Sequence, residues 1–278
     1  LARSRIQSGN YQLAIETLLK IKDNDINGVQ IKLLLIYAYQ NTQAYDKAIQ
    51  VAKELTAEHP GNSFFHQKLG LLYGLKGELV KARDTFHKAL LLDPSNLLAT
   101  VHLARMDNIA KQPDKAIIML SSKLVEFPKS TLLMAEMSDA YFIQQDLDNA
   151  LLWINKAYAQ SPNDFDLLVK LANALVAQGK IDKAIDAVDI YIGQNSKKAE
   201  ALLLLSSLYH KIHKYRQSVA TLKAYVDKAV SKAKALVKLA IAQLAADDRS
   251  GAIHSYKKAI VADDKLLPAY LGLVNLII

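Results

Sequence analysis

Cysteine is absent from the 278 residues. That excludes a disulfide framework, thiolate metal sites and a cysteine nucleophile, and leaves the redox compartment open. Glycine and proline are scarce: average usage predicts roughly 19 and roughly 14 in this length, against 10 and 6 here. So few breakers argue for helix over strands and turns. No apolar run reaches the roughly 18 residues that a bilayer-spanning helix needs. Neither an initiator Met nor a signal peptide is present at Leu1-Ala2-Arg3-Ser4-Arg5. These residues read like a helix interior, so the expectation is a piece of a longer chain.

What is present is a frame of 34 residues. Pro60, Pro94, Pro128 and Pro162 keep that step. So do Ala14, Ala48, Ala82, Ala116, Ala150, Ala184, Ser218 and Ala252, without a slip. Chance does not hold a frame over eight copies, and a period of this size signals stacked supersecondary units. In residues 63–96, Leu69, Gly70 and Tyr73 give a first helix an apolar face. Gly77-Glu78 breaks it, and Ala82, Phe86 and Ala89 recur at i, i+4 and i+7 on a second helix. Pro94 predicts a helix end near Asp93. Glycine inside a helix costs about 1 kcal/mol relative to alanine, so Gly70 implies a neighbouring helix axis close by. Ala104, Ser138, Ala172, Ser206 and Ala240 hold the equivalent place.

Leu69, Gly70, Tyr73, Ala82, Phe86, Ala89 and Pro94 resemble the tetratricopeptide repeat at each offset of its pattern, and the resemblance runs along the whole chain. The early aromatic of that pattern is replaced by His66, Met134, Leu168, Leu202 and Leu236. The terminal proline is lost at Ser196, Val230 and Asp264, which predicts softer boundaries there. The resemblance implies an all-α fold, a right-handed superhelical solenoid of antiparallel helix pairs. The frame divides the chain into a partial repeat (1–28), seven full repeats (29–62, 63–96, 97–130, 131–164, 165–198, 199–232, 233–266) and a partial repeat (267–278). In the last, Tyr270, Leu273 and Ile277 are expected to lack their covering helix and to support self-association.

Catalytic chemistry finds no foothold. Phosphate-binding glycine loops, nucleophile elbows and zinc-protease motifs are absent from the sequence. His210 and His213 have a ligand-like i, i+3 spacing, but no acidic residue lies between Glu200 and Asp227 to complete a site. His66 is expected to be a buried, satisfied histidine. The acid pairs Asp146/Asp148 and Asp247/Asp248 fall in turns, where carboxylates cap helices. The chain is read as non-enzymatic, with no catalytic residue, cofactor or metal.

Charge is uneven. The whole chain is +8, and residues 197–238 carry ten basic residues against Glu200 and Asp227, so this segment holds all of the excess. Lys211, Lys214, Arg216 and Lys223 are its candidate patch for an anionic polymer; the alternative is a lysine-rich solvated face. Specific nucleic-acid reading is not expected, because the 34-residue step and an apolar surface do not suit base recognition.

In proteins of the resembled family the first helices line a concave face. That places Leu33, Tyr37, Phe64, Gln67, Leu71, Val101, Arg105, Asn108, Asp139, Phe142 and Asn173 in a candidate groove for a helical or extended segment of a protein partner. Tyr37, Leu71 and Phe142 would anchor it, and Arg105 and Asn108 would fix its register. Lys81-Ala82-Arg83, Phe86, Lys88-Ala89-Leu90, Leu92-Asp93-Pro94 and Leu103-Ala104-Arg105 are also similar to long bacterial lipoproteins of this repeat class found with exosortase and exopolysaccharide systems. That similarity implies an alternative role in envelope assembly of an exported anionic polymer or surface protein. It favours a periplasmic or envelope location over a cytoplasmic one.

Overall fold

The computed structural model describes residues 1–21, 28–195 and 199–277, and all regular structure among them is helical. The chain divides into two units, Leu1–Pro128 and Lys129–Ile278. The first holds α1 (Ala2–Gln7), α2 (Tyr11–Leu18), α3 (Gly28–Asn41), α4 (Tyr45–Glu58), α5 (Ser63–Lys76), α6 (Leu79–Leu92), α7 (Leu97–Ile109) and α8 (Pro113–Glu126). The second holds α9 (Thr131–Ile143), α10 (Leu147–Gln160), α11 (Phe165–Ala177), α12 (Ile181–Gln194), α13 (Ala199–Lys211), α14 (Tyr215–Lys228), α15 (Lys232–Ala245), α16 (Arg249–Ala262) and α17 (Leu267–Ile277). Odd numbers are first helices and even numbers second helices of the predicted repeats. Each unit is therefore a run of helix pairs joined by short turns, the all-α arrangement that the frame predicts.

The alanine ladder explains the stacking. All seven alanines of the series are fully buried, and Ser218 is 1% exposed. A side chain of one carbon lets two helices approach at each step, and a larger one would overpack the crossing. Ser138 donates a hydrogen bond to the Ala150 carbonyl at 2.8 Å, tying the first helix of that repeat to the second. At Gly70 the close neighbour is the Phe86 ring and not a helix backbone as the sequence suggests. A Cβ there would lie 2.8 Å from two ring carbons.

Helix ends follow the same frame. Second helices stop two residues before Pro60, Pro94, Pro128 and Pro162. Where proline is lost, α12, α14 and α16 end at Gln194, Lys228 and Ala262, each 34 residues further on. Extended backbone at Ala229 and Asp263 breaks α14 and α16 without a proline ring. Ser196 lies outside the described residues.

First helices end on a left-handed residue, and this device also repeats at 34: Gly9, Gln43, Gly77, Lys111, Gln145, Gly179, His213 and Asp247 all have positive φ. The next amide reaches back five residues, as from Glu78 to the Tyr73 carbonyl (2.9 Å) and from Lys214 to the Tyr209 carbonyl (2.9 Å). Side-chain caps start several helices. Asn62 accepts from the Phe64 amide (3.0 Å), Asp146 from Asn149 (3.1 Å) and Asp248 from Gly251 (2.8 Å). These bonds hold the Asp146 and Asp248 carboxyls below the usual carboxylate range, the main cause being the Asn149 side-chain amide for Asp146 and the Gly251 amide for Asp248.

In α17, Tyr270 is exposed as expected, together with Leu267, Leu271 and Val274. Leu273, expected to be open, packs with Leu276 against the cluster around Tyr256 and Ala269. The Ile277 side chain and Ile278 lie outside the described residues. No helix among the described residues is long and apolar enough to cross a membrane.

Candidate functional site

The predicted groove residues divide between the two units. In the first unit, Tyr37 is 48% exposed and meets Tyr11 edge-on at 6.2 Å. Phe64 is 43% exposed, with Lys68 Nζ 5.2 Å above its ring. Leu33 and Leu71 are half-buried and Arg105 is exposed. Three residues do not belong to an open face: Gln67, Val101 and Asn108 are only 2%, 1% and 6% exposed. α7 follows α5 closely enough for the two first helices to touch directly. Positions that a helical wheel places between them are consumed by packing.

In the second unit, Phe142 is 38% exposed and Asn173 is exposed. Asp139 forms an ion pair with Lys170 on the next first helix. Phe142, Asn173, Val176, Lys170 and Lys211 border a recess of about 420 Å³. The structure thus brings a residue of the predicted basic patch, Lys211, to the predicted groove. A second recess of about 340 Å³ opens between α13 and α15, bordered by Leu203, Ser207, His210, Lys238 and Ile241. Its floor includes Ser206 and Ser218, whose hydroxyls share a hydrogen bond at 2.8 Å.

The remaining basic residues are spread over separate positions. Lys214 immediately precedes α14 without capping it through its side chain and lies 3.9 Å from Asp182. Arg216 and Lys223 are exposed on α14. Lys197 and Lys198 lie outside the described residues.

The histidines resolve differently from expectation. His66 is half-buried, not enclosed, and donates to the Pro60 carbonyl at 3.0 Å. His210 and His213 both pack edge-on against Tyr215, whose hydroxyl is 2.6 Å from His213 Nδ1. No group of three or more His, Cys, Asp or Glu among the described residues is placed to hold a metal ion. His102 went unmarked in the sequence. It stacks on Phe86 at 4.9 Å, and burial, with help from Arg105 and Lys68, pushes its pKa down to about 4. The Asp139–Lys170 pair was also missed. Opposite charges 31 residues apart in a 34-residue frame, on successive first helices, were the available signal.

The family described as anaphase-promoting complex, cyclosome, subunit 3 matches residues 143–225. No curated protein matches the chain. Among solved structures, an APC/C hetero-tetramer aligns with a TM-score of 0.57 and 17% identity over all of this chain; this chain spans 55% of that one. A tetratricopeptide repeat protein from Parabacteroides merdae aligns at 0.57 with 16% identity, over 90% of this chain and 98% of that one. The C-terminal part of a repeat-containing protein from Cytophaga hutchinsonii aligns at 0.51 with 17% identity, over 98% of both chains. With the ladder, the paired helices and the repeated left-handed turn, these likenesses settle the architecture. In fold, the chain is similar to the tetratricopeptide-repeat proteins.

Proposed function

We propose that the chain is a non-catalytic scaffold whose first-helix faces hold a helical or extended segment of a partner protein. The observation that supports this reading is where the aromatic area sits. Second helices bury the alanine ladder completely, yet Tyr37, Phe64 and Phe142 on first helices each leave more than a third of their surface open. Large rings held by a rigid scaffold and open to water are the usual anchors of peptide recognition, with polar neighbours at the rim supplying register. In the first unit Tyr37, Phe64 and Leu71 are the anchors and Arg105 the rim group. Asn108 is withdrawn from that role by its burial. In the second unit Phe142 is the anchor, with Asn173 and Lys211 beside it.

Shallow recesses distribute affinity over several modest contacts along an elongated ligand. Phe142→Asp is therefore expected to cost the complex more than about 1 kcal/mol, roughly a fivefold loss of affinity, while circular dichroism stays unchanged. Undiminished binding by a folded Phe142→Asp protein would remove the second unit from the reading.

Envelope assembly of an anionic polymer remains the alternative, favoured by the concentration of charge in 197–238. Binding through lysine charges would weaken steeply with salt, and exchanging Lys211, Lys214 and Arg216 for Glu would abolish it. The open stripe Leu267, Tyr270, Leu271 and Val274 on α17 is a surface for self-association. Leu271→Lys should lower any concentration-dependent sedimentation, and a monomer at high concentration would refute it.

A further inference from the structure

The two recesses of the second unit share a design. Each joins an apolar wall to one lysine that no carboxylate of the same recess pairs. In the recess of about 420 Å³, Phe142 and Val176 make the wall, and Lys170 is already matched by Asp139, which leaves Lys211 as the excess cation. In the recess of about 340 Å³, exposed Ile241 makes the wall above the buried Leu222 and Lys238 stands beside it; no carboxylate lines it. Its floor hydroxyls satisfy each other, and Ser207 donates to the Leu204 carbonyl at 2.7 Å, so the recess presents apolar surface, the His210 ring and the Lys238 cation.

Resting on the groove reading above, we infer that this face selects an extended acidic segment of a partner protein, carrying two apolar side chains a few residues apart, each next to an aspartate or glutamate. α13 contributes to both recesses, Lys211 to one and Leu203, Ser207 and His210 to the other. Packed helices lie about 8–10 Å apart, so the recess centres are separated by roughly one or two such spacings. An extended chain rising about 3.3 Å per residue covers that in about three to six residues. Charge complementarity selects the sign. A lysine beside an apolar wall rewards a carboxylate adjacent to an apolar group, and a second cation there would be repelled. A polymer bearing anions alone would leave both apolar walls in water. The remaining patch residues Arg216 and Lys223 stand on α14, so one continuous basic track is not formed.

The test pans phage-displayed random 12-residue peptides against the whole chain, then measures synthetic copies of the enriched peptides by fluorescence anisotropy. The expected set carries two apolar residues about three to six apart, each with an acidic neighbour. Lys211→Glu with Lys238→Glu should weaken those peptides by about tenfold or more and shift a fresh selection toward Lys and Arg. Lys211→Met with Lys238→Met should give an intermediate loss, which separates charge from misfolding. Arg216→Glu with Lys223→Glu should leave binding unchanged. Enriched peptides that are neutral or basic, or acidic ones indifferent to the lysine reversals yet lost in Phe142→Asp with Ile241→Asp, would overturn this inference and leave the groove standing. Peptides that bind undiminished to Phe142→Asp with Ile241→Asp would overturn the groove itself. Heparin binding that survives the aspartate pair and vanishes in the lysine reversals, with no peptide enriched, would assign the lysines to a polyanion and overturn the inference.

Discussion

In the repeat at 63–96 the Phe86 ring fills the space over Gly70, and His102 from the next first helix stacks on its other side. In the repeat at 199–232 the same three frame positions are Ser206, Leu222 and Lys238. There the smaller Leu222 leaves the space open, Ser206 bonds Ser218 beneath it, and Lys238 stands at the rim of the recess that results. α6 buries Ala82, Phe86 and Ala89, whereas α14 buries only Ser218 and Leu222. One backbone geometry thus carries two kinds of repeat: one fills the space between its helices with a ring, the other buries smaller side chains there and leaves a recess above them.

Removing the filler should have the largest effect. Phe86→Ala is expected to destabilise the first unit by about 3–5 kcal/mol, and Leu222→Ala to cost nearer 2 kcal/mol, because its site is already partly open. Urea unfolding followed by circular dichroism measures both, and equal losses would erase the contrast.

Transplanting the filler is the next test. Leu222→Phe alone should overpack against the Ser206 side chain and cost about 1–3 kcal/mol. Adding Ser206→Gly recreates the arrangement at 70 and 86. It should close the recess and recover part of that loss, the remainder reflecting about 1 kcal/mol for glycine in a helix and the lost bond to Ser218. If the double variant is no better than the single one, packing at this site is not governed by that pair.

A smaller effect is expected at the turns. Gly77 and His213 occupy the same left-handed position, with φ of 87° and 58°. Gly77→Ala should cost about 1 kcal/mol, the usual penalty of a Cβ in that region. His213→Gly should gain less than that, because it also removes the contact with Tyr215. Opposite signs of the two shifts in unfolding midpoint are the prediction.

The smallest effect is a pH dependence. His102 is held near 4 in the folded chain, against an ordinary value of 6.5. Between those values the unfolded chain binds the extra proton, so stability is fully present above pH 6.5 and is lost as pH falls toward 4. His102→Leu should flatten that slope. An unchanged slope in His102→Leu would place the titrating group elsewhere.

Much of this was legible in the sequence, for a physical reason. A helix crossing tolerates one carbon, so the alanine series had to be written in the residues themselves, and Ala150 is fully buried where the frame puts it. The left-handed turn was not legible, because Gln43, Lys111, Gln145, His213 and Asp247 do not announce a positive φ as glycine does. The groove was legible by face and not by depth. Phe142 and Tyr37 are open, but Gln67 and Asn108 on the same wheel are closed, since contact between neighbouring first helices decides which positions remain free. The basic run read as one segment in sequence, yet it distributes over α13, α14 and α15, so its net charge could not foretell that Lys211 and Lys238 would border separate recesses.

The most direct test of the central claim is a pull-down from native lysate with wild-type protein beside Leu71→Asp with Phe142→Asp, which places a charge on the first-helix face of each unit. Circular dichroism first establishes that the pair keeps its helical content. The account predicts that proteins retained by the wild type are lost from the variant. Retention of every partner by a folded double variant would contradict it.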